Sequence, residues 1–212
     1  MENAGSGTAL APGIAFDGDS DTGIFRPGAD QLGIATGGTG RLFIASNGNV
    51  GVGTATPAVK LDVSGRARAS TGILFGNDTA EANVLDDYEE GTFTPAIVGK
   101  TTAGTGAYTF QDGRYTKIGR LVTYVISVLW TSHTGTGDMV IGGLPFTPIG
   151  NEYPASCWMD NVSLTSNHVL TAYAATSTTT IELSSYPAGG GAASAITLNT
   201  AGYLIISGSY HV

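Results

Sequence analysis

The chain has little charge, a single cysteine and no long apolar run. Charged residues make up 12 % of its 212 positions while hydrophobic residues reach 42 %, so charge-driven disorder is a poor description. Cys157, alone, excludes an internal disulfide and a cysteine-based zinc site. No stretch approaches the ~20 consecutive apolar residues of a spanning helix, and Met1-Glu2-Asn3-Ala4-Gly5 has neither the basic region nor the apolar core of a secretory signal. Membrane insertion and export are therefore not expected. Nine bases against seventeen acids leave a net charge of −8, which argues against nucleic acid or an anionic membrane as partner. What is abundant is glycine: 32 glycines and 8 prolines punctuate the chain so densely that long helices are not expected, and short strands with turns are.

Residues 13–65 carry a short repeat. Ile14, Ile24, Ile34 and Ile44 stand ten residues apart, the first three each preceded by glycine, with turn-forming groups such as Asp17-Gly18, Gly37-Gly38 and Asn47-Gly48 between them. A period near ten is what a strand of four or five residues plus a turn requires. Some sixty residues of thin strands bury too small a fraction of their surface to offset chain entropy, so this segment needs a partner for its apolar face. Copies of the same chain wrapped about a three-fold axis supply one, and the alternating glycines of Val50-Gly51-Val52-Gly53 would let another backbone come close.

Residues 66–90 form a collar or linker. Asn77-Asp78-Thr79-Ala80-Glu81 has the spacing of a capping box before a short helix, and Asp86-Asp87-Tyr88-Glu89-Glu90 reads as a solvated linker edge. From residue 91 to 212 longer strands follow. A hairpin around Gly119 leads into residues 121–130, apolar on both faces and hence central. Further strands are expected at 139–141, 156–164, 169–174, 179–183, 195–198 and 203–207, enough for an antiparallel β-sandwich of jelly-roll type. The predicted fold class is thus all-β, an intertwined trimeric β shaft, β-helix- or β-prism-like, below a sandwich head.

Phe16-Asp17-Gly18-Asp19-Ser20-Asp21-Thr22-Gly23-Ile24, Asn47-Gly48-Asn49-Val50-Gly51-Val52-Gly53-Thr54 and Leu61-Asp62-Val63-Ser64-Gly65 resemble the shaft repeats of tailed-bacteriophage tail fibres. Leu85-Asp86-Asp87-Tyr88-Glu89-Glu90-Gly91-Thr92-Phe93-Thr94-Pro95, with Gly113-Arg114-Tyr115-Thr116-Lys117 and Gly142-Gly143-Leu144-Pro145-Phe146, is similar to a terminal domain of phage fibres, including those of cyanobacterial viruses. The resemblance implies a homotrimeric virion protein, made in the host cytoplasm, whose head meets a host surface glycan or receptor. Residues 1–12 would be an arm docking other tail proteins. In many relatives the Leu-Asp-Val-Ser-Gly phrase leads into a self-cleaving chaperone with a serine–lysine pair. Here it runs into the Tyr88 region, with only Lys100 and Lys117 beyond Lys60, so that activity is not carried over.

Chemistry-bearing motifs are few. Asp17, Asp19 and Asp21 alternate as oxygen ligands of Ca2+ or Mg2+ do, and an exposed charged turn is the other possibility. No other cofactor is expected. No Gly-x-Ser-x-Gly elbow and no phosphate loop is present, and enzyme activity is not expected. The carboxylates Asp112, Asp138, Glu152, Asp160 and Glu182 leave a glycan depolymerase open as a lesser alternative, beside a purely structural spacer of the particle. A sugar site needs aromatic faces flanked by amide, carboxylate and hydroxyl groups. Tyr153, Trp158, Asp160, Asn161 and Tyr186 are the candidates, with His133 as a loop contact. The loop tyrosines Tyr153 and Tyr186 rank first, since Trp130 and Trp158 could both belong to the core.

Overall fold

The computed structural model describes residues 5–77, 79–80 and 83–212, and these divide into two compact units, Met1–Ser70 and Thr71–Val212. Among the described residues every element is a strand, and the remaining regular structure is a 3-10 turn at Asn83, whose amide donates to the Ala80 carbonyl at 3.0 Å. None of them forms a helix long and apolar enough to cross a membrane. Of the expected short helix, Asp78, Glu81 and Ala82 lie outside the described residues; next to them, Ile73 and Leu85 pair as an isolated antiparallel bridge.

Unit 1 is a six-stranded sheet in chain order: β1 (Ile14–Phe16), β2 (Asp19–Phe25), β3 (Leu32–Thr36), β4 (Thr39–Ile44), β5 (Val50–Val52) and β6 (Leu61–Val63). The turns are those the glycines permit. Gly37 and Gly38 both take positive φ in the two-residue turn closing Thr36 onto Thr39, and Gly48 does so beside Asn47, whose Oδ1 accepts the amide proton of Asn49. Ile14, Ile24 and Ile34 are cross-strand partners, and the row continues through Leu42, Val52 and Val63. Ile44 drops out of it. The tight turn at Gly37-Gly38, with a bulge after Ile34, sets the register, so that Ile44 pairs Leu32 in a second row with Val50 and Leu61.

The opposite face is closed by the chain itself. Phe25 and Phe43 meet edge to face at 6.0 Å, and glycine is what their rings require beneath them: a Cβ on Gly33 would stand 2.5 Å from the Phe25 ring and one on Gly40 2.3 Å from Phe43. Gly51 likewise faces the carbonyl of Thr54 at 2.2 Å from a virtual Cβ. The alternating glycines thus admit the chain's own rings and loop, and the ladders from β1 to β6 pair within one chain. Gly33→Ala is expected to displace Phe25 and destabilise unit 1 by about 1–3 kcal/mol, measurable as a lowered denaturation midpoint. An unchanged midpoint would mean the ring has room to move.

Unit 2 is one antiparallel ten-stranded sheet, not two stacked ones. Its strands are β7 (Tyr88–Phe93), β8 (Ala96–Gly99), β9 (Gly106–Ile118), β10 (Leu121–His133), β11 (Met139–Gly142), β12 (Tyr153–Asp160), β13 (His168–Ala174), β14 (Thr180–Pro187), β15 (Ser194–Ala195) and β16 (Gly202–His211). Their order is β7-β9-β10-β16-β12-β13-β14-β11-β8, with β15 beside β14. Strands as long as β9 and β10, thirteen residues each, accumulate twist, and a sheet of this width curls. The curl brings the Tyr108 hydroxyl of β9 to accept the amide proton of Ile97 on β8 at 3.0 Å. Two halves of one sheet then face each other over a core that includes Ile126, Trp130, Met139, Ile181, Leu204 and Ile206, doing the work expected of a two-layer sandwich.

The acidic run expected to be a solvated linker edge is partly strand β7, an edge strand whose exposed glutamates discourage further pairing. Asp87 accepts a bond from Lys117, whose ammonium lies 5.7 Å from the centre of the Phe146 ring.

Candidate functional site

Strand β10 is central, as its sequence requires, yet only one of its faces is buried. Val122, Tyr124, Ile126, Val128 and Trp130 point into the core, and their neighbours point out. Register then assembles an outward grid from four strands. Phe110, Leu129, Tyr203 and Asp160 form one row across β9, β10, β16 and β12; Asp112, Ser127, Ile205 and Trp158 form the next; Arg114, Val125, Ser207 and Ser156 the third.

On this grid three aromatic rings touch in series. Tyr203 packs edge to face against Phe110 at 5.5 Å and against Trp158 at 5.2 Å, and Trp158 is 52 % exposed. An exposed indole of this kind has an apolar face to offer, and edge-to-face neighbours hold it in place. The Tyr203 hydroxyl shares a 3.2 Å hydrogen bond with Ser127 Oγ, fixing the phenol over the sheet. Asp112 is engaged by Arg114 Nε at 3.1 Å and 3.3 Å from its two oxygens. Beside the rings opens a cleft of about 480 Å³, bordered by Leu129, Thr131, Tyr203, Asp160 and Asn161. Asn161 there adopts a left-handed conformation that turns the chain out of β12.

Of the candidates read from the sequence, Trp158, Asp160 and Asn161 fall together here. The ranking of the aromatics is reversed. Trp158 faces out while Tyr153, five residues earlier at the start of β12, faces in, donating its hydroxyl proton to the Ile149 carbonyl at 2.6 Å and packing on Tyr210 and His211. The reason is the period of two: Tyr153 shares the parity of the inward residues Ala155, Cys157 and Met159. Tyr186, exposed, stands on β14 paired with Val169 and apart from the grid. His133 is not a surface contact but buried, its Nε2 bonded to the Ile97 carbonyl at 2.9 Å and its Nδ1 accepting from the Gly135 amide. Phe110, Tyr203 and Ser127 were not singled out by the sequence. Their signal was present as the outward parity of strands whose other parity is core.

Asp17 lies in the β1–β2 turn, and Asp19 and Asp21 follow on β2; among the described residues no group of three His, Cys, Asp or Glu is placed to hold a metal ion. The Asp21 carboxyl is held above its usual range by its bond with Asp19. A second hollow of about 520 Å³ is lined by hydroxyl groups including Ser163, Thr165, Ser185 and Thr197. His168 Nδ1 lies 3.1 Å from Ser185 Oγ there, and that hydroxyl also reaches the Ser194 carbonyl at 3.4 Å.

No protein-family model matches the chain, and no curated protein matches it. Among solved structures it is similar to the Dettilon tailspike protein (gp208), with a TM-score of 0.46 and 15 % identity, over 58 % of this chain and 24 % of that one. The chain thus spans about a quarter of the tailspike's length.

Cys157 points inward behind Trp158, and burial pushes its thiol up to about 12. Since only the thiolate attacks alkylating reagents, labelling with iodoacetamide at pH 8 is expected to be ~10³-fold slower in the folded protein than in denaturant. Equal rates would place the thiol in water and turn β12 over.

Proposed function

We propose that this chain is a non-enzymatic adhesin of a tailed phage: a homotrimeric tail-fibre protein, carried on the virion, whose unit 2 binds a host surface glycan. The observation that carries this is the exposed Phe110–Tyr203–Trp158 series with hydroxyl, amide and carboxylate groups at its border. A sugar ring offers an apolar face to an aromatic side chain and hydroxyls to polar neighbours, and this face supplies both.

Trimerisation is supported by unit 1. Ile14, Ile24, Leu32, Ile34, Val52 and Leu61 share one face of its sheet and are between 39 % and 63 % exposed. At ordinary side-chain areas this is a contiguous apolar patch of several hundred Å², toward the upper end for a monomer and a large part of the ~800 Å² per partner of stable interfaces. Since the ladders are satisfied within one chain, copies would meet by sheet faces and not by strand exchange. Three heads on a repetitive glycan gain ~10²–10⁴ in avidity if their spacing permits simultaneous contact, so each site can stay weak and reversible. Residues 1–12 would dock the particle. The test is direct: fluorescently labelled full-length protein should coat susceptible cells, and failure to label any permissive host would sink the adhesin.

A further inference from the structure

The charge around the aromatic grid narrows what it can hold. Unit 2 contains eleven of the seventeen acids and four of the nine bases, a balance of −7 out of the chain's −8. Three of those four cations are already engaged: Lys100 with Glu182 at 2.6 Å, Arg114 with Asp112 at 3.1 Å, and Lys117, on the inward parity, with Asp87. The fourth, Arg120, sits in the β9–β10 turn, before Leu121. At ~3.3 Å per residue that is ~26 Å or more along β10 from Leu129, beyond two Debye lengths at physiological salt.

Asp160 is the converse case. It stands at the border of the cleft, in the same row as Tyr203, and among the described residues its carboxylate has neither an ion-pair nor a hydrogen-bond partner. A uronate, sialate or phosphate stacked on Trp158 of β12 would therefore meet the uncompensated Asp160 carboxylate, while Arg114, the cation of unit 2 that shares the grid, stands at its far edge on β9 and is held by Asp112. A sugar hydroxyl would instead find in Asp160 a charged acceptor, among the stronger hydrogen-bond partners a protein offers. Ser127, Thr131 and Asn161 add groups that both donate and accept, the complement of a polyol and not of a fixed charge.

We infer that the Trp158–Tyr203–Asp160 face selects an uncharged sugar ring, stacked by one face on the aromatics with its hydroxyls on Asp160 and Asn161, and rejects anionic glycans through Asp160. This rests on the adhesin proposal and deepens it. The experiment is binding of the labelled full-length protein to an array of defined oligosaccharides, neutral, uronate- or sialate-bearing, and amino-sugar, with Trp158→Ala and Asp160→Asn beside it. Binding confined to neutral sugars, and lost in Trp158→Ala, is the expected result. Asp160→Asn should raise the ratio of acidic to neutral binding at least tenfold, because the amide keeps the acceptor and removes the charge. Preference for acidic or amino sugars in the native protein, or an unmoved ratio in Asp160→Asn, would overturn the selectivity while leaving glycan adhesion standing. No binding to any class would remove the adhesin proposal itself, and this inference with it.

Discussion

Trp158→Ala is expected to abolish attachment to cells while leaving unit 2 folded. Truncating a central aromatic anchor of a binding site typically costs 2 kcal/mol or more, so single-site affinity should fall by ~30-fold or more. Three linked sites compound the loss, because avidity depends on each head re-engaging before its neighbours release. The protein itself should barely notice. Trp158 is half-exposed, on the face opposite the core, and substitutions at such positions usually stay within ~0.5 kcal/mol of the parent stability. Titration of labelled protein onto cells, paired with a thermal melt, separates the two effects. Unchanged attachment at unchanged melting temperature would take the indole out of the site. Trp130→Ala is the contrasting variant. That indole is buried and donates its Nε1 proton to the Asn199 carbonyl at 3.0 Å, so its loss should cost ~3–5 kcal/mol of stability.

The second large effect is on assembly. Ile24 and Ile34 face each other across β2 and β3, each about 40 % exposed in the single chain. In an isolated chain, Ile24→Asp with Ile34→Asp would cost little, since both carboxylates reach water. If the face meets other copies, the same carboxylates must be desolvated without a partner, at several kcal/mol each, and the trimer should dissociate. The measurement is mass in solution without denaturant. Native protein is expected at three times 21.5 kDa and the double variant at 21.5 kDa. Native protein already at 21.5 kDa would end the trimer. A double variant that keeps the full mass would move the interface to another face.

Much of the backbone was legible because local chemistry settles it. Gly37-Gly38 and Asn47-Gly48 are turns wherever they occur between apolar runs, and they are turns here. The decade spacing of Ile14, Ile24 and Ile34 was legible as aligned strands for the same reason, while Ile44 is out of line because the turn closes at Gly37-Gly38, before the midpoint between Ile34 and Ile44, and a bulge moves the register by one more residue. Strands β11, β13 and β14 were found near their places; β7 was hidden by its charge, because an exposed edge strand reads like a linker.

The site was only half legible. Trp158, Asp160 and Asn161 are consecutive or nearly so and could be proposed together. Phe110, Ser127 and Tyr203 come from three other strands, and they meet Trp158 only because β16 inserts between β10 and β12. Whether Tyr153 or Trp158 faced water also escaped, because a period of two assigns two faces without naming which is covered.

By itself, then, the order of residues determined that this chain makes strands and turns without long helices, that its acids outnumber its bases, and that its first unit has more apolar surface than it can cover. Which face of each sheet lies against the core, which glycines seat the chain's own rings, and which aromatics share an outward row were decided only by the tertiary structure. The physical reason is that backbone conformation and alternation are set within a few residues of chain, whereas burial is a property of elements brought together from distant parts of it.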